Sequence, residues 1–184
     1  MIYNGIISGR YVDLRSATLD DAEFTLNIRL DPEIKKRFPP FDSNLEKQKI
    51  WLSNQMQKDN DYFFVIIDKQ NNQRIGTISI YDINYEKLEA ENGRLVVKSD
   101  NPLHSSEAFL LLNRFSFHEL GLERVYGFIL GDNQRSQNFN KFFGSIVHEP
   151  EFSEKLNHII VRTELFKKDF LKVEQKIEKF LYRK

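Results

Sequence analysis

The chain has 184 residues, and Lys plus Arg equals Asp plus Glu at 27 each, so no net charge draws it to nucleic acid or to an anionic membrane. It contains no cysteine, which excludes disulfides, thiolate metal ligands and a cysteine nucleophile. Hydrophobic residues make up 40% and charged residues 29%, a globular composition whose length suits one domain with a real core.

Sixteen phenylalanines against two methionines and one tryptophan predict a core built on aromatic packing. The start "MIYNGIISGR" has no basic segment leading into a long apolar run. No window approaches about 18 consecutive apolar residues. The expectation is a cytoplasmic protein with no signal peptide, no membrane association and no nucleic-acid partner.

In chain order, "YVDLRSAT" alternates Val12 and Leu14 with polar neighbours and predicts a first strand. Thr18 with Asp21 approximates a capping box for a helix in which Leu19, Ala22, Leu26 and Leu30 share a face. Asp31-Pro32 and Pro39-Pro40 break that helix, and Ser43 is positioned to cap a second one over "NLEKQKIWLSNQMQK". "YFFVIID" and "RIGTISIYDIN", separated by "KQNNQ", predict a hairpin. "NGRLVV" is a short strand. Residues 107–120 carry an apolar helical face through Ala108, Leu111, Leu112, Phe115 and Leu120, with Gly121 as C-cap. A strand "LERVYGFIL", a short helix in "DNQRSQNFNKFFG" and a late strand "IIVRTEL" follow. The tail places Phe166, Phe170, Val173, Ile177 and Phe180 on one stripe. With no internal repeat and no linker, this order predicts one mixed α/β domain.

These segments, in this order and spacing over residues 10–166, resemble the GNAT acyltransferase superfamily. The likeness is carried by "LRSATLDDAEFTLNIRLDPEIKKRF", "KQKIWLSNQ", "RIGTISIYDIN", "ENGRLVV" and "EAFLLLNRFSFHELGLERVYGFILGDNQRS". It is narrowest to the branch holding ribosomal-protein N-terminal acetyltransferases and nucleotide-amino-sugar N-acetyltransferases. The resemblance implies a twisted mixed sheet flanked by helices over residues 1–184, with 167–184 as an added C-terminal helix. The strands "GRLVV" and "RVYGFIL" should run parallel and splay apart. It also implies acetyl-CoA as cosubstrate, with no metal; no His/Asp/Glu spacing here matches a metal site.

The site residues follow from the same resemblance. Leu95, Val96 and Val97 fall on the strand that pairs with the pantetheine arm, and Asn133 on the asparagine that lies against it. The family's pyrophosphate loop carries a basic residue and two glycines, which here fall on Asp100, Leu103 and Ser105. Glycines there let a backbone approach phosphates closely, and Pro102 removes one N–H donor. A helix start nevertheless remains, with Asn101 as N-cap and Pro102 at N1. Leu103, His104, Ser105 and Ser106 would offer donors there. Two readings stay open: a phosphate site without glycines, or a loop that has lost the cofactor.

Acyl transfer to an amine needs a base, because the attacking nitrogen must be neutral. Glu91, on the family's frequent Glu-x-Gly position, is the candidate, with Glu89 second and a solvated acidic hairpin as the alternative. The usual tyrosine acid falls on Asn140, which cannot donate a proton; Tyr81 and Tyr126 could substitute only if the fold brings them near. "RFPPF" lines the acceptor mouth or plugs the core. His118 decorates the surface. The leading reading is an N-acetyltransferase acting on a small-molecule primary amine, such as a nucleotide-linked amino sugar, as a monomer or homodimer. The alternatives are a protein N-terminal acetyltransferase and a degenerate CoA-binding or interaction domain.

Overall fold

The computed structural model describes residues 1–35 and 44–183. The proposed cap Ser43 and the "RFPPF" segment lie outside the described residues. In chain order the elements are β1 (Ile6–Ser8), β2 (Val12–Ser16), a 3-10 turn (Leu19–Asp21), α1 (Ala22–Leu30), α2 (Pro32–Lys35) and α3 (Leu45–Met56). Then come β3 (Asp61–Asp68), β4 (Gln73–Asn84), β5 (Glu89–Val97) and α4 (Pro102–Arg114), which runs into a π turn (Phe115–Glu119). The remainder is β6 (Arg124–Leu130), α5 (Gln134–Phe142), β7 (Ile146–Val147), β8 (Glu151–Ser153), β9 (His158–Phe166) and α6 (Lys167–Leu181).

The strands form one sheet in the order β1-β2-β3-β4-β5-β6-β9-β7, with β8 also paired to β9. Every pairing is antiparallel except β5 with β6. That exception follows from the chain: β4 reaches β5 through a tight turn, whereas β5 reaches β6 through helix α4, and such a crossover connects parallel neighbours. The twisted mixed sheet flanked by helices that the sequence implied is the fold observed.

Period-two alternation sends the two faces of the central strands to different cores. Phe64 and Ile66 of β3 join Leu110, Leu112, Phe115 and Phe170 beneath α4 and α6. Phe63, Val65 and Ile67 pack with Leu52 and Trp51 beneath α1 and α3. Five phenylalanines, Phe64, Phe115, Phe117, Phe143 and Phe170, are fully buried. Phe64 and Phe115 meet edge to face at 5.5 Å and 87°, and Phe117 and Phe170 meet tilted at 5.2 Å. The aromatic core expected from composition is therefore present.

Helix boundaries follow caps more closely than apolar spacing. Asn44 caps α3, its Oδ1 accepting from Lys47 N at 3.1 Å. The central helix begins at Pro102, ahead of the 107 that periodicity predicted, because Asn101 accepts from Leu103 N at 3.0 Å. Gly121 closes it at φ +69°, a left-handed position that suits glycine. In α6, Phe170 and Ile177 are buried as predicted, but Phe180 is 45% exposed and rests edge-on against Phe142. Leu181, one residue on, fills the core in its place. β1, β7 and β8 are too short to show periodicity and were not predicted.

One carboxylate ties the first hairpin to α4. Glu107 is completely buried and accepts from the backbone N–H groups of Arg10, Tyr11 and Val12, each at 2.7 Å. It sits on Gly9, where a Cβ would lie 2.5 Å from its Cδ. Charge-assisted bonds of this kind are strong, and removing the acceptor strands buried donors. Glu107→Ala should lower stability by about 3 kcal/mol. For a chain of this size that is a Tm drop of roughly 6–12 °C, readable by calorimetry. A Tm within about 1 °C of the parent would show that the clamp contributes nothing.

Candidate functional site: a split between two parallel strands

β5 and β6 pair over only three positions, Glu89 with Arg124, Ala90 with Val125 and Glu91 with Tyr126. Beyond Glu91 they separate. Two irregularities flank this point. Between the pairs Thr77–Val96 and Ser79–Gly93, β5 has one residue more than β4, and Arg94 takes φ +51°. Between Tyr81–Glu91 and Asn84–Glu89 the extra residue is on β4, where Asp82 takes φ +51°. Such bulges bend a strand and re-aim its side chains.

Non-glycine residues in this left-handed region are costly, on the order of 1–2 kcal/mol, so Arg94 needs anchors. Its guanidinium donates to both carboxylate oxygens of Asp61, at 2.8 and 3.0 Å. It also lies 4.0 Å over the Tyr81 ring and 5.4 Å from Trp51. Its carbonyl accepts from Thr77 Oγ1 at 2.9 Å. Asp61 is buried and accepts as well from Gln55 Nε2 at 3.1 Å.

The split opens a slot of about 280 Å³. Leu95, Val96 and Val97 line it from β5 and Asn133 from the start of α5, with Phe109, Phe139 and Gly127 opposite. Since β5–β6 pairing stops at Glu91, the backbone of residues 92–97 on that edge faces the slot instead of a strand. Gly127 keeps it clear: a Cβ there would meet Asn92 Oδ1 at 2.7 Å. Apolar walls and an edge of peptide groups suit a narrow chain bearing amides. Asn133 also caps α5, accepting from Ser136 N at 3.1 Å.

Leu103, His104, Ser105 and Ser106 stand outside the slot wall, at the start of α4. The loop before them closes on its own side chains. Ser99 Oγ bonds His104 Nδ1 at 2.8 Å and accepts from Asn101 N at 3.1 Å. His104 is buried, with Nε2 4.0 Å from Asp68. Ser105 and Ser106 hydroxyls donate to the Pro102 carbonyl at 3.2 and 3.3 Å. None of residues 98–106 has a positive φ, so this path needs no glycine. The helix end and the rotatable serine hydroxyls are what it offers an anion.

On the α1 and α3 side of the sheet lies a larger cavity of about 700 Å³. Trp51, Phe63, Tyr81 and Phe128 give it aromatic walls; Arg29, Lys155, Asp82 and Glu91 give it charge. Asn92, Gly93, Arg94, Val96 and Phe128 line both cavities, so the two meet at the β5 bulge. Glu91 accepts a hydrogen bond from the Tyr81 hydroxyl. Burial pushes the Glu91 carboxyl above its ordinary value, with Asp82 adding to that, against the Tyr81 hydrogen bond, Arg94 and Lys155. A half-buried carboxylate with a raised pKa is suited to taking a proton. Glu89 instead pairs with Arg124, which also holds Glu164 at 2.8 Å.

Asn140, at the usual tyrosine position, lines the slot but directs its Nδ2 to Ser136 O at 3.0 Å. Of the two tyrosines considered as substitutes, Tyr81 faces the larger cavity, while Tyr126 lies beside Arg124 and Arg162 at 5.8 and 5.5 Å. Sequence reading missed Asn92, Arg94 with Asp61, and Gly127. A glycine inside a strand is a signal of close approach and could have pointed to Gly127. Nothing in the sequence marks Arg94.

A mixed sheet that splits between two parallel strands, with a slot meeting a carboxylate-bearing cavity at the split, defines an acyltransferase of the GNAT class. The chain belongs to that family: the model of the acetyltransferase (GNAT) domain matches residues 12–144. It is an N-acetyltransferase, and the family uses acetyl-CoA. No curated protein matches it. Among solved structures it is similar to a GCN5-related N-acetyltransferase from Brucella melitensis (TM-score 0.82, 19% identity, 98% of this chain and 87% of that one). It is also similar to a nucleotide-linked sugar GNAT (0.81, 18%, 97% and 99%). A third is a spermidine N-acetyltransferase chimera from Vibrio cholerae and hSSAT (0.78, 16%, 88% and 99%). At these identities the likeness shows the fold.

Acetyl-CoA at about 100 times its Kd should stabilise the protein by about 2.7 kcal/mol, a Tm rise of roughly 5–10 °C. Asn133→Ala should shrink that ligand-induced rise at fixed concentration. The rise is the quantity to compare, because losing the α5 cap lowers the starting Tm by itself. An undiminished rise would remove Asn133 from the cofactor site.

Proposed function

We propose that the protein transfers the acetyl group of acetyl-CoA to the primary amine of a small molecule, such as a nucleotide-linked amino sugar, with Glu91 as the base. The observation that carries this is the meeting of the two cavities at residues 92–94, with Glu91 in the wall of the larger. The slot between β5 and β6 holds the pantetheine arm against Leu95, Val96, Val97 and Asn133. The start of α4 at Leu103, His104, Ser105 and Ser106 faces the phosphates. The aromatic walls of the larger cavity favour a ring-bearing acceptor over an extended peptide.

Acetyl-CoA supplies an activated acyl group on sulfur. Glu91 accepts the proton that the amine nitrogen gives up as its bond to the acyl carbon forms and the carbon–sulfur bond breaks. The strand-edge peptide groups of 92–97 supply donors for the carbonyl oxygen. With Asn140 unable to protonate the departing sulfur, it leaves as thiolate and takes its proton from water, which thiol acidity permits near neutral pH.

Glu91→Gln keeps the size of the side chain and removes its basicity. It should bind acetyl-CoA like the parent and lose about 10²-fold in kcat, with part of the loss recovered at higher pH, where more of the amine is already neutral. In the parent, activity should rise with pH through the raised Glu91 pKa, because only the ionised carboxylate accepts a proton. The measurement is turnover across amino sugars, sugar nucleotides, polyamines and N-terminal peptides. Parental rate in Glu91→Gln would remove Glu91 from the mechanism. Turnover of peptides alone would overturn the small-molecule reading.

A further inference from the structure

Tyr81 and Glu91 are direct partners in a row of side chains that crosses the sheet on one face: Asp61, Tyr81, Glu91, Tyr126 and Glu164, on β3, β4, β5, β6 and β9. Facing side chains in an antiparallel pair lie close enough to interact. The Tyr81–Glu91 pair is confined on both sides, by the bulge at Asp82 on β4 and the bulge at Arg94 on β5. The Tyr81 ring is covered by the Arg94 guanidinium at 4.0 Å, and Arg94 is itself fixed by the buried Asp61. The tyrosine therefore has little freedom to swing away. Its hydroxyl donates to Glu91 Oε1, and no described residue bonds Oε2. Glu91 and Tyr81 both line the larger cavity.

We propose that Tyr81 is a positioning residue for the transfer reaction: its hydroxyl occupies one oxygen of Glu91 and holds the other toward the amine. This rests on the reading of Glu91 as the base. A carboxylate on a flexible side chain loses rotational freedom when it must be aligned for proton transfer, and a fixed donor on its far oxygen removes that cost in advance. The donor also tunes the base. The groups facing Glu91 are Tyr81 and Asp82 from β4, Arg94 from its own strand, Lys155 from the segment between β8 and β9, and Tyr126 from β6. Burial raises the carboxyl, Tyr81 lowers it, Asp82 raises it, and Arg94 and Lys155 lower it. Losing the Tyr81 hydroxyl should thus move the Glu91 titration to higher pH. Tyr81 stays protonated throughout the working range, since burial and Glu91 both raise its own pKa.

The test compares the parent, Tyr81→Phe and Glu91→Gln. Phenylalanine keeps the ring under Arg94 and removes only the hydroxyl. Glu91 is followed by carboxyl-carbon NMR on protein labelled at glutamate Cδ, with the Glu91→Gln spectrum giving the assignment. Turnover is followed with D-glucosamine and the nucleotide-linked amino sugars of the same panel, with acetyl-CoA binding and Tm as controls. Tyr81→Phe should titrate at higher pH than the parent. It should also lose about tenfold in kcat, the worth of one good hydrogen bond, with acetyl-CoA affinity unchanged. An unmoved Glu91 titration together with an unchanged kcat would overturn the proposal, as would a loss of Tm with neither change. If Glu91→Gln loses activity while Tyr81→Phe does not, the proposal falls and the base assignment stands. If Glu91→Gln turns over like the parent, both fall.

Discussion

The structure depends on where the pairing between β5 and β6 ends. A continuous ladder between them would leave no slot, no exposed peptide edge and no junction between the two cavities. The ladder ends after Glu91, and three residues on Arg94 takes a left-handed conformation where β5 carries one residue more than β4. That conformation opposes folding by an amount on the order of 1–2 kcal/mol. Asp61 offsets it with a doubly hydrogen-bonded ion pair, and the Tyr81 ring adds a stacked contact. Strain at one backbone position is held by partners on β3 and β4, which is how a sheet can keep an open edge in its middle.

Two buried carboxylates serve opposite ends of this arrangement. Glu107 takes three backbone donors from the turn into β2 and its first residue, and ties α4 to the first hairpin. Asp61 holds the bulge. Both are fully satisfied by hydrogen bonds, the condition under which buried charge stabilises instead of disrupting. Glu91 differs: its Oε1 accepts from Tyr81, no described residue bonds Oε2, and the residue lines the larger cavity.

The departures from the family's loop have a structural account. Glycines are needed where a backbone must take positive φ, and residues 98–106 take none. Ser99, Asn101 and His104 close the turn with side-chain hydrogen bonds that a glycine loop would have left to the ligand or to water. The helix start is kept by Asn101 and Pro102. At Asn140 the side chain is turned back onto its own helix, donating to the Ser136 carbonyl.

The parallel run of β5 and β6 was implied by the family resemblance together with the strand–helix–strand order, while periodicity and punctuation in the sequence determined the order of the longer strands and helices, the Asn101–Pro102 helix start and the aromatic core. These are local properties, because side-chain period and cap chemistry act within a few residues. The sequence also placed Glu91, Asn133 and residues 95–97 on the elements that line the cavities. Only the tertiary structure decided what those residues meet. Asp61 and Arg94 are 33 positions apart, and Glu107 reaches partners 95 to 97 positions away. No pattern in the chain announces such pairs. The turning inward of His104, the exchange of Phe180 for Leu181 and the left-handed Arg94 are equally invisible to it. Each is settled by which neighbour occupies the adjoining space once the sheet has closed, and that is a property of packing, not of any segment read alone.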